Sequence, residues 1–306
     1  MIYFLTVNYY STNLVSKLIK SLNISESTCY KMVIVNNSPE DNSIHELKRK
    51  STVILNSETN LGFGGGCNLG LRWIYTQDKQ AIVWIINPDA HLMEDYLNQV
   101  KTFFQFHPEV SILGTVVYTD NGKLWFGGGK FYSETGGVVV EDLLNVATSG
   151  KEKEGKYQIG KYHLEKYHLE KYQLERPDYI SCDWVSGCSL IINLDNFQDC
   201  PLFDTAYFLY YEDFDFCQRY RKEGHLIAIT NKFRVFHQPS SITQRNIFWK
   251  IQHSTYSYLL TLERYTNKFV QFIRLSKLLF NGFLLMFFQP EVSWGKFYGF
   301  WLYMKR

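Results

Sequence analysis

Tyr211-Glu212-Asp213-Phe214-Asp215 puts three carboxylates into four residues inside a run of aromatic side chains. Aromatic neighbours keep water from a carboxylate and raise its pKa, the condition a general base needs. On a helix, positions 212 and 215 share a face while 213 points elsewhere, so the three are not expected to share one task. The plain alternative is a helix N-terminus enriched in acids, which the macrodipole favours without any function. Asp89, in Asn87-Pro88-Asp89-Ala90 directly after the apolar run AIVWIIN, is the next chemical group. Asn-Pro-Asp is strong turn chemistry, and a carboxylate at a strand end is equally suited to hold Mg²⁺ or Mn²⁺ together with substrate phosphates. His237 ends the strand-like FRVFH. A lone histidine is more often structural than a ligand, although a strand end is a crevice position.

The stretch NLGFGGGCNLG, Asn60 to Gly70, has glycine at 62, 64, 65 and 66. Such a cluster brings backbone N–H groups close to a ligand and suggests a phosphate cradle. It fails the dinucleotide fingerprint twice. Cys67 stands where the third glycine belongs, and the stretch follows the third strand-like run instead of the first. A nicotinamide oxidoreductase is therefore the weaker reading, and interest passes to the flanking amides of Asn60 and Asn68.

The elements that must position these groups read as an α/β domain. IYFLTV (2–7), MVIVN (32–36), TVILN (52–56), AIVWIIN (81–87) and VSILGTVVY (110–118) are mostly continuous apolar runs, suited to strands covered on both faces. LVSKLIKSL (14–22) has apolar residues at 14, 15, 18, 19 and 22, an amphipathic helix that Ser11 or Thr12 can cap. Alternation of this kind implies a mostly parallel sheet flanked by helices, with the ligand crevice at the carboxyl ends of the strands.

At 306 residues and 45% hydrophobic content the chain can build a large core. Thirty-two basic residues against 30 acidic ones give a net charge of +2, so nucleic acid is not expected as a partner. Six cysteines are scattered with no CxxC pair, and MIYFLTV reads as a first strand, not a leader; reduced thiols in a cytoplasmic protein are the expectation. From about 151 to 176 a five-residue repeat of the form K-Y-H/Q-L/I-E/G matches neither the helical nor the strand period and reads as an inserted surface segment, without a metal site at His163 and His168.

Taken in order, VNYYS (7–11), VIVNNSPED (33–41), NLGFGGGCNLGL (60–71), INPDA (86–90), WVSGCSLII (184–192), FLYYEDFDFCQR (208–219) and HQPSS (237–241) resemble glycosyltransferase family 2, near its rhamnosyltransferase-like members. The resemblance covers about 1–245 and implies a GT-A fold, a nucleotide-diphosphate-sugar donor, a glycan or lipid-linked acceptor, a divalent cation (Mg or Mn) and inversion at the anomeric carbon. It implies Asp213 as base with Glu212 beside it, Asp89 and His237 at the metal, and donor contacts from Asn8, Asn36, Asn37, Asn60, Gly62, Gly64, Asn68, Asn87 and Trp184. Asn36 stands where the family often has an aspartate that contacts the nucleoside base, which leaves the identity of the donor's nucleoside open, and Leu194-Asp195 stands where many relatives place an arginine, which leaves acceptor contacts open. A degenerate binder of nucleotide sugar is the non-enzymatic alternative; damage at Asp89 or Asp213 would mark it, and both are intact.

Residues 246–306 form a helical, aromatic-rich extension. FVQFIRLSKLLFNGFLLMFF (269–288) has the length of a membrane span, but Gln271, Arg274, Lys277 and Asn281 argue against crossing. Arg274, Lys277 and Asn281 form a polar stripe on an apolar helix, which either packs on the catalytic domain or lies in a membrane interface. Trp294, Tyr298, Trp301, Tyr303, Lys305 and Arg306 favour peripheral contact with the membrane.

Overall fold

A computed structural model describes residues 1–22, 30–144, 157–159, 162–164, 177–238 and 246–306. In chain order the elements are β1 (Ile2–Asn8), α1 (Thr12–Ser21), β2 (Tyr30–Asn36), β3 (Thr52–Asn56), α2 (Gly62–Gln77), β4 (Ile82–Ile86), β5 (Ala90–Leu92), α3 (Leu97–Phe106), β6 (Val110–Thr119) and β7 (Leu124–Phe126). There follow β8 (Gly129–Tyr132), β9 (Gly137–Val140), β10 (Tyr157–Ile159), β11 (Tyr162–Leu164), β12 (Ile180–Ser181), β13 (Ser189–Asn193), α4 (Glu212–Lys222) and β14 (Leu226–His237). The chain closes with α5 (Ile247–Tyr265), α6 (Lys268–Leu285) and α7 (Pro290–Lys305).

The main sheet runs β12-β14-β6-β13-β4-β1-β2-β3. β3, β2, β1 and β4 are mutually parallel, and β13 lies antiparallel between β4 and β6. Every residue of β1 is buried, as its unbroken apolar run requires of a strand with helices on both faces. Phe4 stacks on Trp84 at 5.4 Å, and the Trp84 indole donates to Ser189 Oγ at 2.9 Å, so the core joins the parallel and antiparallel parts of the sheet. The mostly parallel, helix-flanked sheet expected from the sequence is present. The repeat lies outside the described residues except for β10 and β11, which pair antiparallel.

One expectation needs correction. The glycine cluster is not a loop but the first two turns of α2. Four glycines in two turns cost helix propensity, about 1 kcal/mol each; close packing is what they provide. A Cβ on Gly66 would lie 2.8 Å from Val7 Cγ1, and one on Gly64 would lie 2.9 Å from Phe203 Cβ. These glycines bring the helix down onto β1 and the segment ahead of α4.

Asn246 caps α5 by accepting from Trp249 N at 2.9 Å, Asn267 caps α6 by accepting from Val270 N at 2.9 Å, and Pro290 opens α7. The fully buried Asp215 carboxylate accepts from Arg219 Nε (2.8 Å), Arg264 Nη1 (3.0 Å) and Tyr265 OH (2.8 Å). Arg264 and Tyr265 belong to α5, so this buried charge pins the C-terminal helices to α4. Among the described residues no helix is long and apolar enough to cross a membrane.

Candidate active site

A cleft of about 650 Å³ opens at the carboxyl ends of β1, β2 and β4, between the N-termini of α2 and α4. Asn37, Asn60, Gly62, Asn87, Asp89, Glu212, Asp213 and His237 all line it, drawn from segments up to 200 residues apart. The parallel part of the sheet explains the convergence, because each strand delivers its following loop to the same edge.

Asn37 is the hub of the first wall. Its amide donates to Asn60 Oδ1 at 2.9 Å and to the Gly62 carbonyl at 3.0 Å, and its Oδ1 accepts from Leu61 N at 2.9 Å. Gly62 sits at φ +74, where a Cβ would come within 2.1 Å of the Phe208 carbonyl oxygen, so only glycine closes this turn. The next amide, Phe63 N, donates to the same Phe208 oxygen at 3.1 Å. The glycine-rich helix start is thereby docked on the segment that leads into Glu212.

Tyr210 and Tyr211 both adopt left-handed backbone, at φ +69 and +63. Non-glycine residues enter this region at a cost, and pairs of them are uncommon. The turn they make aims the first residues of α4 at the cleft. Asp213 Oδ2 accepts from Gly187 N at 2.9 Å and Oδ1 from Phe214 N at 2.8 Å, which fixes the carboxylate plane and leaves a lone pair on each oxygen. Burial raises the Asp213 pKa despite these two donors. Glu212 is raised well above the ordinary glutamate value by burial and then by the Asp213 charge, and its Oε2 is buried with no hydrogen-bond partner among the described residues. The helical phase expected to separate 213 from 212 does not do so. Both occupy the first turn, whose open end faces the cleft, whereas Asp215 turns inward to Arg219 and Arg264.

The third group joins residues 148 apart in sequence. β5 pairs with β14 so that Ala90 faces His237, and this register brings His237 Nε2 to 3.1 Å from Asp89 Oδ1. Both side chains are 5% exposed, Trp125 places its ring 4.7 Å from the imidazole, and His237 Nδ1 is not hydrogen-bonded among the described residues. Cis ligands of an octahedral ion bonded at about 2.1 Å lie about 3.0 Å apart, so the observed spacing and the oxygen–imidazole donor set fit a divalent cation. Among the described residues no three His, Cys, Asp or Glu side chains form a metal cluster. Water and phosphate oxygens would complete the shell, as they do for Mg²⁺ at phosphate sites.

Five expected donor contacts stand behind the cleft wall. Asn8 donates to Asn36 Oδ1 at 3.2 Å, and Asn36 donates onward to the Asp41 carbonyl at 3.1 Å, a buried network that spends both amides. Asn68 forms a two-way clip with Phe203, donating to its oxygen at 2.8 Å and accepting from its nitrogen at 2.7 Å. Gly64 packs on Phe203, and Trp184 is buried against Phe126 and Phe214. Asn68 and Gly64 lie on the face of α2 that packs on Phe203. Trp125 and Trp249, which complete the aromatic wall, were not marked by the sequence; neither lies in a motif.

The family model for Glycosyl transferase family 2 matches residues 5–167. Among solved structures, the chain superposes on GalNAc-T7 with UDP, GalNAc and Mn²⁺ with a TM-score of 0.58 at 10% identity, covering 86% of this chain and 47% of that one. It superposes on S. aureus TarS 1-349 with a TM-score of 0.48 at 13% identity, covering 85% and 64%. The chain thus spans about half to two-thirds of the length of these structures. The sheet is that of the GT-A fold. No curated protein matches the chain.

Proposed function

The chain belongs to glycosyltransferase family 2, and from that premise we propose that it is an inverting glycosyltransferase acting on a nucleotide-diphosphate-sugar donor and a hydroxyl of a glycan or lipid-linked acceptor. The observation that carries this reading is the convergence of Asp89, His237, Glu212 and Asp213 on one cleft beside the Asn37–Gly62 wall. GalNAc-T7, which shares the fold, was solved with UDP and Mn²⁺; a uridine nucleotide and Mn²⁺ are therefore the first ligands to try.

In this reading the donor lies along Asn37, Asn60, Gly62 and Asn87, the expected donor residues that line the cleft. Asp213, fixed by Gly187 N and Phe214 N, takes the proton of the acceptor hydroxyl as that oxygen bonds to the anomeric carbon. The bond from that carbon to the diphosphate breaks, the leaving group takes the electron pair, and the configuration inverts. Raised proton affinity suits Asp213 to this task, because a base of ordinary aspartate strength would hold the proton too weakly near neutral pH. Glu212, beside the base in the same cleft, contacts the acceptor in this reading. Asp89 and His237 would hold Mg²⁺ or Mn²⁺, which when bound offsets the charge of the diphosphate. The proposal extends to a rhamnosyl or other hexosyl transfer in envelope polysaccharide synthesis, following the resemblance to rhamnosyltransferase-like members.

Binding of a donor stabilises the native state by mass action. Thermal shifts with UDP-, GDP- and dTDP-sugars, each with and without Mn²⁺, test the reading. A metal-dependent rise with one nucleotide, lost in Asp89→Asn, is expected; no shift with any of them would refute it.

A peripheral contact with the cytoplasmic face of the membrane is part of this proposal. Phe269, Phe272, Phe280 and Phe283 of α6, with Phe287 just beyond its end, are each more than half exposed and gather large apolar side chains at the surface. Flotation with liposomes tests it: Phe272→Ser combined with Phe283→Ser is expected to abolish flotation, and unchanged flotation would remove α6 from the contact.

A further inference from the structure

A second cavity, of about 300 Å³, lies between α5, α6 and α7 and is closed on one side by Tyr211. Arg274 and Lys277 of α6 and Lys296 of α7 line it, together with the hydroxyls of Ser254, Thr255 and Tyr258. No carboxylate is among its lining residues, and none of the three cations has an ion-pair partner among the described residues. Lys296 is half-buried there, and burial without a counter-charge lowers its pKa. Arg274 gives its Nε to the Thr135 carbonyl at 2.6 Å; its remaining guanidinium donors, with Lys277, Lys296, the hydroxyls and no acid, form a receptor for a compact anion with several oxygens.

The position of the cavity narrows the ligand. Lys277 lies three residues before Phe280 and seven before Leu284, so on α6 it borders the exposed apolar face. α7 adds exposed Trp294, Tyr298 and Trp301 at helical spacing. Arg274 and Lys277, from the polar stripe of α6, line a cavity, while the phenylalanines remain outside. An anion reaching this cavity from the apolar face would carry an apolar chain.

We propose that this cavity binds the phosphate group of a phosphorylated lipid, with the lipid chain lying over the phenylalanine face of α6. The proposal rests on the transferase reading only for its consequence, which is that the site would hold the carrier end of a lipid-linked acceptor. The structure gives that consequence a route. Tyr210 lines the catalytic cleft and Tyr211 lines the basic cavity, so adjacent residues directly before Glu212 and Asp213 join the two sites. The Tyr211 ring lies 5.8 Å from Tyr258, and its hydroxyl is pushed up to about 12 by burial, Tyr258 and Asp213, so it remains a neutral donor at the cavity wall.

The test is calorimetric titration of the full chain, without divalent metal, by dihexanoyl phosphatidic acid, dihexanoyl phosphatidylcholine and inorganic phosphate. Phosphatidic acid is expected to bind tighter than the other two. Lys277→Gln with Lys296→Gln is expected to weaken it about tenfold or more, since each charge-assisted hydrogen bond carries about that factor. Lys277→Arg with Lys296→Arg, which keeps the charge, is expected to retain it. Equal binding of the zwitterionic lipid, equal binding of inorganic phosphate, or unchanged affinity in the double Gln variant would each overturn the proposal. UDP-sugar binding with Mn²⁺, measured on the same proteins, reports the catalytic cleft separately; its failure would count against the transferase reading and not against the anion site.

Discussion

Replacing Glu212 by Gln is expected to stabilise the protein, increasingly so as pH rises. In the folded chain Glu212 is buried, its Oε2 is without a hydrogen-bond partner among the described residues, and its pKa stands well above 4.5. Burial is the main cause and the Asp213 charge the second. Between 4.5 and the folded-state pKa, the native state keeps a proton that the unfolded chain has released. Stability therefore falls with rising pH across that window, by about 1.4 kcal/mol for each pH unit, and stops falling once the folded-state pKa is passed. Glutamine keeps the volume and has no charge to bury, so the variant lacks this slope. The assay is urea denaturation followed by tryptophan fluorescence at pH 5, 6, 7 and 8 in metal-free buffer. The gap between variant and wild type is expected to open in favour of the variant, by about 1.4 kcal/mol per unit at the start of the range. Parallel stability curves, or a variant less stable at pH 8 than at pH 5 relative to wild type, would refute the assignment of Glu212 as a buried, strained carboxyl.

Asp213→Asn is expected to lower turnover about 10²- to 10⁴-fold, the range of a general base, while calorimetry shows donor affinity unchanged; turnover within a few-fold of wild type would place the base elsewhere. Gly62→Ala forces a Cβ against the Phe208 carbonyl at φ +74, whereas Gly122→Ala, at φ +77 with open space around it, meets only the backbone cost. Gly62→Ala is therefore expected to lose about 1–3 kcal/mol more than Gly122→Ala in urea denaturation, the usual cost of overpacking. Asp215→Ala removes an acceptor shared by Arg219, Arg264 and Tyr265, while Arg264 keeps Asp204 and Arg219 keeps the Leu202 carbonyl; a loss of about 1.5–3 kcal/mol is expected, read as a lower urea midpoint.

The α/β sheet was legible because its central strands β1, β2 and β4 are buried on both faces, and even the edge strand β3 keeps an apolar run. Their apolar runs carry the signal residue by residue, and IYFLTV, MVIVN, TVILN and AIVWIIN fall on β1 to β4 within two residues at either end. Asp89, Asp213 and His237 were picked out by local pattern, Asp89 in a turn after β4, His237 at the end of β14 and Asp213 in an acid cluster that opens α4. What misled was NLGFGGGCNLG. Glycine permits both a loop and the close packing of a helix, and only the positions of Val7, Phe203 and Phe208 decide between them.

By itself the sequence determined the parallel strands β1 to β4 and β6, that the carboxyl ends of such strands share an edge, and which carboxylates stand near that edge. These depend on local patterning, which a chain carries in its order. The tertiary structure alone decided that Asn68 clips Phe203 while Asn37 holds Gly62, that His237 meets Asp89, and that the cations of α6 line a cavity while its phenylalanines face outward. Each of these is set by the register of β14 on β5 or by the rotation of a helix about its axis, quantities fixed by what an element packs against and not by its own residues.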